Sequence, residues 1–377
     1  MAENISTQLL NSASLDDIRA ILTHQVRAIH QTPGLAASLP PLMLWGPPGV
    51  GKSTVMRDVC RDEGIDFIDI RLAQRDPVDI RGLPVPRGDV VQWLLADDWP
   101  RDPDSRGIVL FDELTAADRS LQVAVYELIL DRRLGSLYRL PDGWLVCGAG
   151  NRAEDGAVSL GFSSALANRF CHLELQPELT PWIRWALAQG VHPDVIAFLR
   201  FRPACFFSME GDTERGWPSP RSWERVSTVC WQATQGLEQR AAELMISGLV
   251  GPEVGNEFLA FLSWREALPD VDAMLRGKAK ITIPDRADHR YALCSAAVHH
   301  LWQDHNAPDA TLVDGFFCLT EAMSSDFATL ALMDALQGPD ADSTRRRSEI
   351  LFGHPGFARW SERHGTAFAD EWQEVSA

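Results

Sequence analysis

The sequence predicts an α/β protein: a parallel five-stranded sheet covered by helices, followed by helices alone. Three observations predict it. Between Leu42 and Pro177, short apolar runs alternate with stretches of helical period. A glycine-rich loop follows the first apolar run, and paired acids end the third. Past Pro177 the strand signals stop.

In chain order, Ser14 heads a capped helix that runs to about Ile29 and is broken by Pro33 and Gly34. Leu42 to Trp45 reads as a short buried strand and Ser53 to Glu63 as a helix. Ile65 to Ile70 is the second strand. Residues 76–107 are rich in Pro, Gly and Asp around the apolar patch "DVVQWLL", too long for a plain connection and read as a functional insertion. "GIVLFDE" is the third strand, "RSLQVAVYELILDRRL" an amphipathic helix and "LGSLYRLPDG" a hairpin. "WLVCGAGN" and "CHLELQP" are the fourth and fifth strands.

The net charge of −17 argues against a broad footprint on nucleic acid. Seven scattered cysteines with no CxxC pair read as a reducing interior. The first residues show no secretory pattern and no apolar run approaches a membrane span, so the expected location is the cytoplasm, without membrane insertion.

The chemistry starts at "WGPPGVGKST", Trp45 to Thr54. A tight turn explains its glycines but not Lys52 and Ser53. The chain has three lysines, Lys52, Lys278 and Lys280, and otherwise uses arginine. Gly46-x-x-x-x-Gly51-Lys52-Ser53 is the phosphate-loop spacing. Gly46, Pro47, Pro48, Gly49, Val50 and Gly51 would form a nest of backbone N–H groups, continued by Lys52, Ser53 and Thr54 at a helix N-terminus. A compact ammonium reaches outer phosphates where a planar guanidinium fits poorly. The Ser53 hydroxyl is placed to ligate Mg²⁺.

Asp112 and Glu113 end a buried strand, at the edge where open α/β sheets bind ligands. Such acids often just meet solvent. Downstream of a phosphate loop, Asp112 is expected to hold Mg²⁺ with Ser53, and Glu113 to polarise the attacking water. Asn151 ends the next strand, where an Asn commonly caps a turn; beside the acids it is expected to help place that water.

"GPPGVGKST", "IVLFDEL", "CGAGN", "SSALANRF" and "SPRSW", in this order, resemble an AAA+ ATPase. The insertion before "GIVLFDE" and the hairpin before "GAGN" are similar to the MoxR-type group with its helix-2 insert. The resemblance implies a P-loop AAA+ core over residues 1–178, a helical lid over 179–289 and a helical extension over 290–377. It implies ATP and Mg²⁺ as cofactors and hydrolysis to ADP and phosphate. Asn151 matches sensor 1, Arg169 the arginine finger that reaches a neighbouring subunit, and Arg221 the sensor-2 arginine. Ser219 and Pro220 read as the start of a helix, which places Arg221 against the helix dipole and favours a nearby anion. Asn168 departs from the Asp usual in the family, and Arg152 is a further interface candidate. The implied assembly is a homo-hexamer that remodels or activates a partner protein or assists cofactor insertion, with a von Willebrand A domain protein as the expected partner. A DNA-acting AAA+ motor is the competing function, and the charge disfavours it. A small-molecule kinase or a non-hydrolysing switch fits poorly with Glu113 and Arg169.

Trp93 and Trp99 in the insertion could grip a polypeptide or pack on the core. His299, His300 and His305 are expected to face solvent rather than bind metal.

Overall fold

Ser14 caps the first helix: its hydroxyl accepts from Asp17 N, and the Asp17 carboxylate accepts from Ser14 N at 2.9 Å. The computed structural model describes residues 12–152, 164–209, 215–265, 270–302 and 308–376. It divides into two units, Met1–Glu178 and Leu179–Ala377.

The first unit runs β1 (Ser12–Ala13), α1 (Leu15–Gln31), β2 (Leu42–Trp45), α2 (Lys52–Glu63) and β3 (Asp66–Arg71). Then come α3 (Pro77–Arg81), β4 (Leu83–Arg87), β5 (Val90–Leu94), β6 (Gly107–Asp112) and α4 (Arg119–Asp131). It ends with β7 (Arg133–Leu134), β8 (Tyr138–Arg139), β9 (Trp144–Gly150), α5 (Ser164–Ala167) and β10 (Cys171–Leu175). The main sheet has the order β1-β10-β2-β9-β6-β3, parallel throughout.

The sheet therefore has six strands, not the five expected. The added strand is two residues long, and pairing alone defines it: Ser12 opposite Glu174 and Ala13 opposite Leu175. Two residues carry no periodicity. β6 and β9 are buried along nearly their whole length, as parallel strands covered on both faces must be. Met43, Val109, Phe111 and Trp144 form one core with Leu121, Val125 and Leu128 of α4.

The insertion folds as an antiparallel ribbon, β4 against β5, turning at Gly88 with φ 62°. Leu83, Val90, Val91, Trp93 and Leu94 on it are exposed. Trp99 instead is buried against Phe111 and Tyr138, whose hydroxyl donates to Pro100 O at 2.9 Å. Trp99 therefore packs on the core, while Trp93 stays at the surface of the ribbon.

The second unit is helical among its described residues. In order these helices are α6 (Leu179–Ala188), α7 (Pro193–Phe201), α8 (Pro220–Thr234), α9 (Gln239–Val250), α10 (Pro252–Arg265) and α11 (Val271–Leu275). α12 (Ala287–Leu301), α13 (Ala310–Glu321), α14 (Ser325–Leu336), α15 (Ala341–Phe352) and α16 (Pro355–Ser376) complete it. Residues 289 and 290 lie inside α12, which serves two apolar clusters: Ala292 packs with Phe198 and Trp223, Leu293 and Ala297 with Phe316 and Leu332. A buried ion pair, Arg200 with Asp334, joins α7 to α14. His299 and His300 are half-buried, not solvent-facing, because their end of α12 turns toward other elements: His299 lies 5.5 Å from the Trp231 ring, and His300 Nδ1 is 4.0 Å from Asp272. His305 lies outside the described residues. Among the described residues no helix is long and apolar enough to cross a membrane.

Candidate functional site

Three strand ends make the site. β2, β9 and β6 are neighbours in the sheet, with Trp45 opposite Gly150 and Phe111 opposite Gly148. Their C-terminal tips deliver Gly46, Asn151 and Asp112 side by side.

The loop after β2 needs its glycines. Gly46, Gly49 and Gly51 have φ of 148°, 82° and 102°, where side chains are disfavoured. At Gly46 an added Cβ would lie 2.7 Å from Leu175 O. Gly51 is the N-cap of α2, so the first-turn N–H groups and the positive end of the helix dipole face the loop. Pro47, Pro48 and Val50 fill the rest of the turn, and Val50 is buried.

Lys52 is buried to 9% exposure despite its charge. Its Nζ donates to Gly46 O at 2.6 Å, Pro47 O at 2.9 Å and Asn151 Oδ1 at 2.9 Å. These acceptors hold the ammonium beside the loop and the tip of β9. Ser53 Oγ donates to Asp112 Oδ2 at 2.7 Å, and Glu113 N donates to Asp112 Oδ1 at 2.9 Å. Thr54 occupies the third position of the same helix. Glu113 sits at φ 55°, a left-handed conformation that costs a non-glycine residue on the order of 1 kcal/mol. Ala116 N and Ala117 N both donate to the Glu113 carbonyl, which fixes the bend.

Two residues joined to this site were missed in the sequence. Thr115, 1% exposed, accepts from Asn151 N at 3.2 Å and donates to Asn151 O at 3.3 Å. A threonine in a loop gives no spacing signal. Asp69 of β3 sits 3.7 Å from Arg57, one turn along α2 from Ser53. Burial pushes its carboxyl above the usual range, and the Asp112 charge adds to the push.

Arg169 is exposed: Nη1 donates to the Tyr126 hydroxyl at 2.5 Å, and the guanidinium lies 5.7 Å from that ring's centre. Asn168 beside it is exposed too. Arg152 pairs with Glu174 of β10 at 3.1 Å. Arg221 belongs to the second unit. It is exposed at the second position of α8, after Ser219, whose hydroxyl accepts from Ser222 N at 3.2 Å.

Residues 42–124 match the model of the ATPase family associated with various cellular activities (AAA). The parallel sheet, phosphate loop and flanking helices are the P-loop AAA+ fold. Solved structures similar to the chain include NtrX from Brucella abortus with ADP, at 17% identity over 92% of this chain and 68% of that one, TM-score 0.34. The same protein with ATP is similar at 16% identity over 91% and 68%, TM-score 0.35. A RuvB mutant of Thermotoga maritima is similar at 16% identity over 81% and 91%, TM-score 0.35. A search of curated proteins finds no match.

Proposed function

We propose that this chain is an ATP-hydrolysing, ring-forming AAA+ ATPase of MoxR type that remodels or activates a partner protein or assists cofactor insertion. One observation carries the ATPase reading: the phosphate loop brings Lys52 to Asn151 and Ser53 to Asp112, with Glu113 next in the chain.

The residues fit the cofactors. The open loop and the buried Lys52 suit a triphosphate. Ser53 Oγ and the Asp112 carboxylate are hard oxygen donors of the kind Mg²⁺ takes, and they already converge. Held by Ser53 and Asp112, Mg²⁺ would supply positive charge that offsets the negative charge of phosphate. The chain supplies the rest. The loop N–H groups hold phosphate, Lys52 neutralises it, Glu113 takes a proton from the attacking water, and Asn151 orients that water. Arg169 completes a neighbouring subunit's site, and Arg221 is the proposed sensor-2 arginine.

The inserted ribbon and the β7–β8 hairpin support the MoxR assignment. The exposed apolar side chains of the ribbon also support a polypeptide partner, because exposed apolar surface of this kind can mark interaction sites. A von Willebrand A domain protein is the proposed partner, and a homo-hexamer the proposed assembly. Measuring Mg²⁺-dependent phosphate release from ATP, alongside sedimentation with and without ATP, tests the reading. No release, or a monomer in both conditions, refutes it.

A further inference from the structure

We propose that His172 is a positioning residue that ties the nucleotide loop to the turn carrying Arg169. The proposal rests on the reading of Arg169 as an arginine that acts on a neighbour, and it identifies what holds that arginine in place.

The geometry is specific. Trp45 Nε1 donates to His172 Nδ1 at 2.8 Å. An indole N–H can only donate, so Nδ1 is the acceptor and Nε2 carries the proton. His172 Nε2 then donates to Ala167 O at 2.7 Å. The imidazole is neutral, in one tautomer, and meets the Trp45 ring edge to edge, with ring planes 22° apart and ring centres 5.9 Å apart.

Both ends of this relay matter. Trp45 directly precedes Gly46, whose carbonyl accepts from Lys52. Ala167 starts the turn that holds Arg169: its carbonyl also accepts from Phe170 N at 3.3 Å, closing the turn around residues 168 and 169. Phe170 also lies near the imidazole, with ring centres 6.1 Å apart. A shift of the loop on phosphate binding therefore reaches the Arg169 turn through one side chain.

The strand supports the relay. β10 places Glu174 opposite Trp45, and Glu174 pairs with Arg152, the residue after Asn151. Alternate residues of β10 thus grip the loop through His172 and the Asn151 segment through Glu174. Packing alone does not need two hydrogen bonds of opposite polarity from a single ring.

The test uses mixed rings of the full chain. Glu113→Gln donates only its Arg169, and Arg169→Ala offers only its Glu113, so their mixture measures the donated arginine. In the test mixture the donor carries His172→Phe as well as Glu113→Gln. Recovered turnover is expected to fall roughly 10- to 100-fold against the Glu113→Gln donor, the scale of a displaced catalytic group, with ATP affinity of the donor unchanged. His172→Gln should restore it, because its amide N–H extends to Ala167 O; His172→Asn, one carbon shorter, should not. Equal turnover from the His172→Phe donor overturns the proposal. So does a fall explained by lost co-assembly, read by sedimentation of the same mixture. If His172→Phe fails to fold, the Gln and Asn donors decide, and recovery by Gln no better than by Asn overturns it. A control mixture that recovers nothing overturns the trans reading of Arg169 itself, and with it this proposal, so the two failures are told apart.

Discussion

The Ser53 hydroxyl donates to Asp112 Oδ2 across 2.7 Å, joining the first turn of a helix to the last residue of a strand. One turn farther along α2, Arg57 faces Asp69 on the next strand. Helix α2 is thus fastened to the sheet through polar pairs on the Ser53 face. The groups proposed to bind phosphate and metal are held in register in the free chain, which would lower the reorganisation needed at reaction.

Lys52→Ala should abolish measurable ATP binding while the fold persists. Its ammonium already lies at the mouth of the loop, on three acceptors, and no other lysine lies within the first unit. Isothermal titration of the variant checks this, and unchanged affinity would remove Lys52 from the site.

Glu113→Gln should behave differently. The Asp112 contacts to Ser53 and to residue 113 use a hydroxyl and a backbone N–H, so they survive the change. Binding is retained and turnover falls ~10²-fold or more, the scale of a lost general base. Near-normal phosphate release would show that another group activates the water.

Much of the geometry at this candidate site was legible because a tight loop that runs into a helix start forces a local pattern. Glycines at Gly46, Gly49 and Gly51 follow from positive φ, and Lys52-Ser53 follows from the helix start. Asp112 and Glu113 were readable because a buried parallel strand is a continuous apolar run that has to end at the ligand edge. Thr115 and His172 were not readable. Their roles come from contacts across 36 and 127 residues of chain, to Asn151 and to Trp45 respectively, and no local period encodes such contacts. Strand β1 was missed for the same reason: its identity lies in its partner.

Thr115→Val keeps the shape of a fully buried side chain and removes its hydroxyl. Asn151 N then loses its acceptor in a part-buried place, which should lower stability by about 1 kcal/mol. Asn151 also loses its anchor, so kcat should fall with ATP affinity preserved. Thermal melts and steady-state kinetics together test this; a variant that melts and turns over like the parent would reduce Thr115 to filler.

Asp69 makes a stability prediction with a definite sign. Its folded carboxyl is held above the unfolded value, first by burial and then by the charge of Asp112. The native state therefore keeps a proton that the unfolded chain releases, and this group's contribution is fully present at low pH. It is lost as pH rises through the raised folded value. Asp69→Asn removes the group, so the variant should gain stability relative to the parent on going from about pH 4 toward neutrality. Chemical denaturation of both proteins at several pH values checks it; a stability difference that stays flat, or moves the other way, contradicts the assignment.

Arg169 gives the most discriminating experiment. Its guanidinium is exposed and rests on Tyr126 of α4, on the surface of its own unit. In the proposed ring, an arginine presented outward from its own unit would serve a neighbour. Such a finger acts on charge that develops in the transition state, so Arg169→Ala should keep ATP binding and lose turnover on the order of 10³-fold. Mixing Arg169→Ala with Glu113→Gln then separates the possibilities. At one kind of mixed interface, the first variant contributes an intact Glu113 and the second an intact Arg169, and that site is complete. Part of the activity should return, and it should rise with the fraction of mixed interfaces as the ratio of the two proteins is varied. An arginine acting on its own nucleotide could not be rescued this way, since no subunit in the mixture holds both groups. An arginine serving only to hold Tyr126 would leave the single variant nearly as active as the parent. Co-assembled rings that stay inactive at every ratio therefore exclude the trans role.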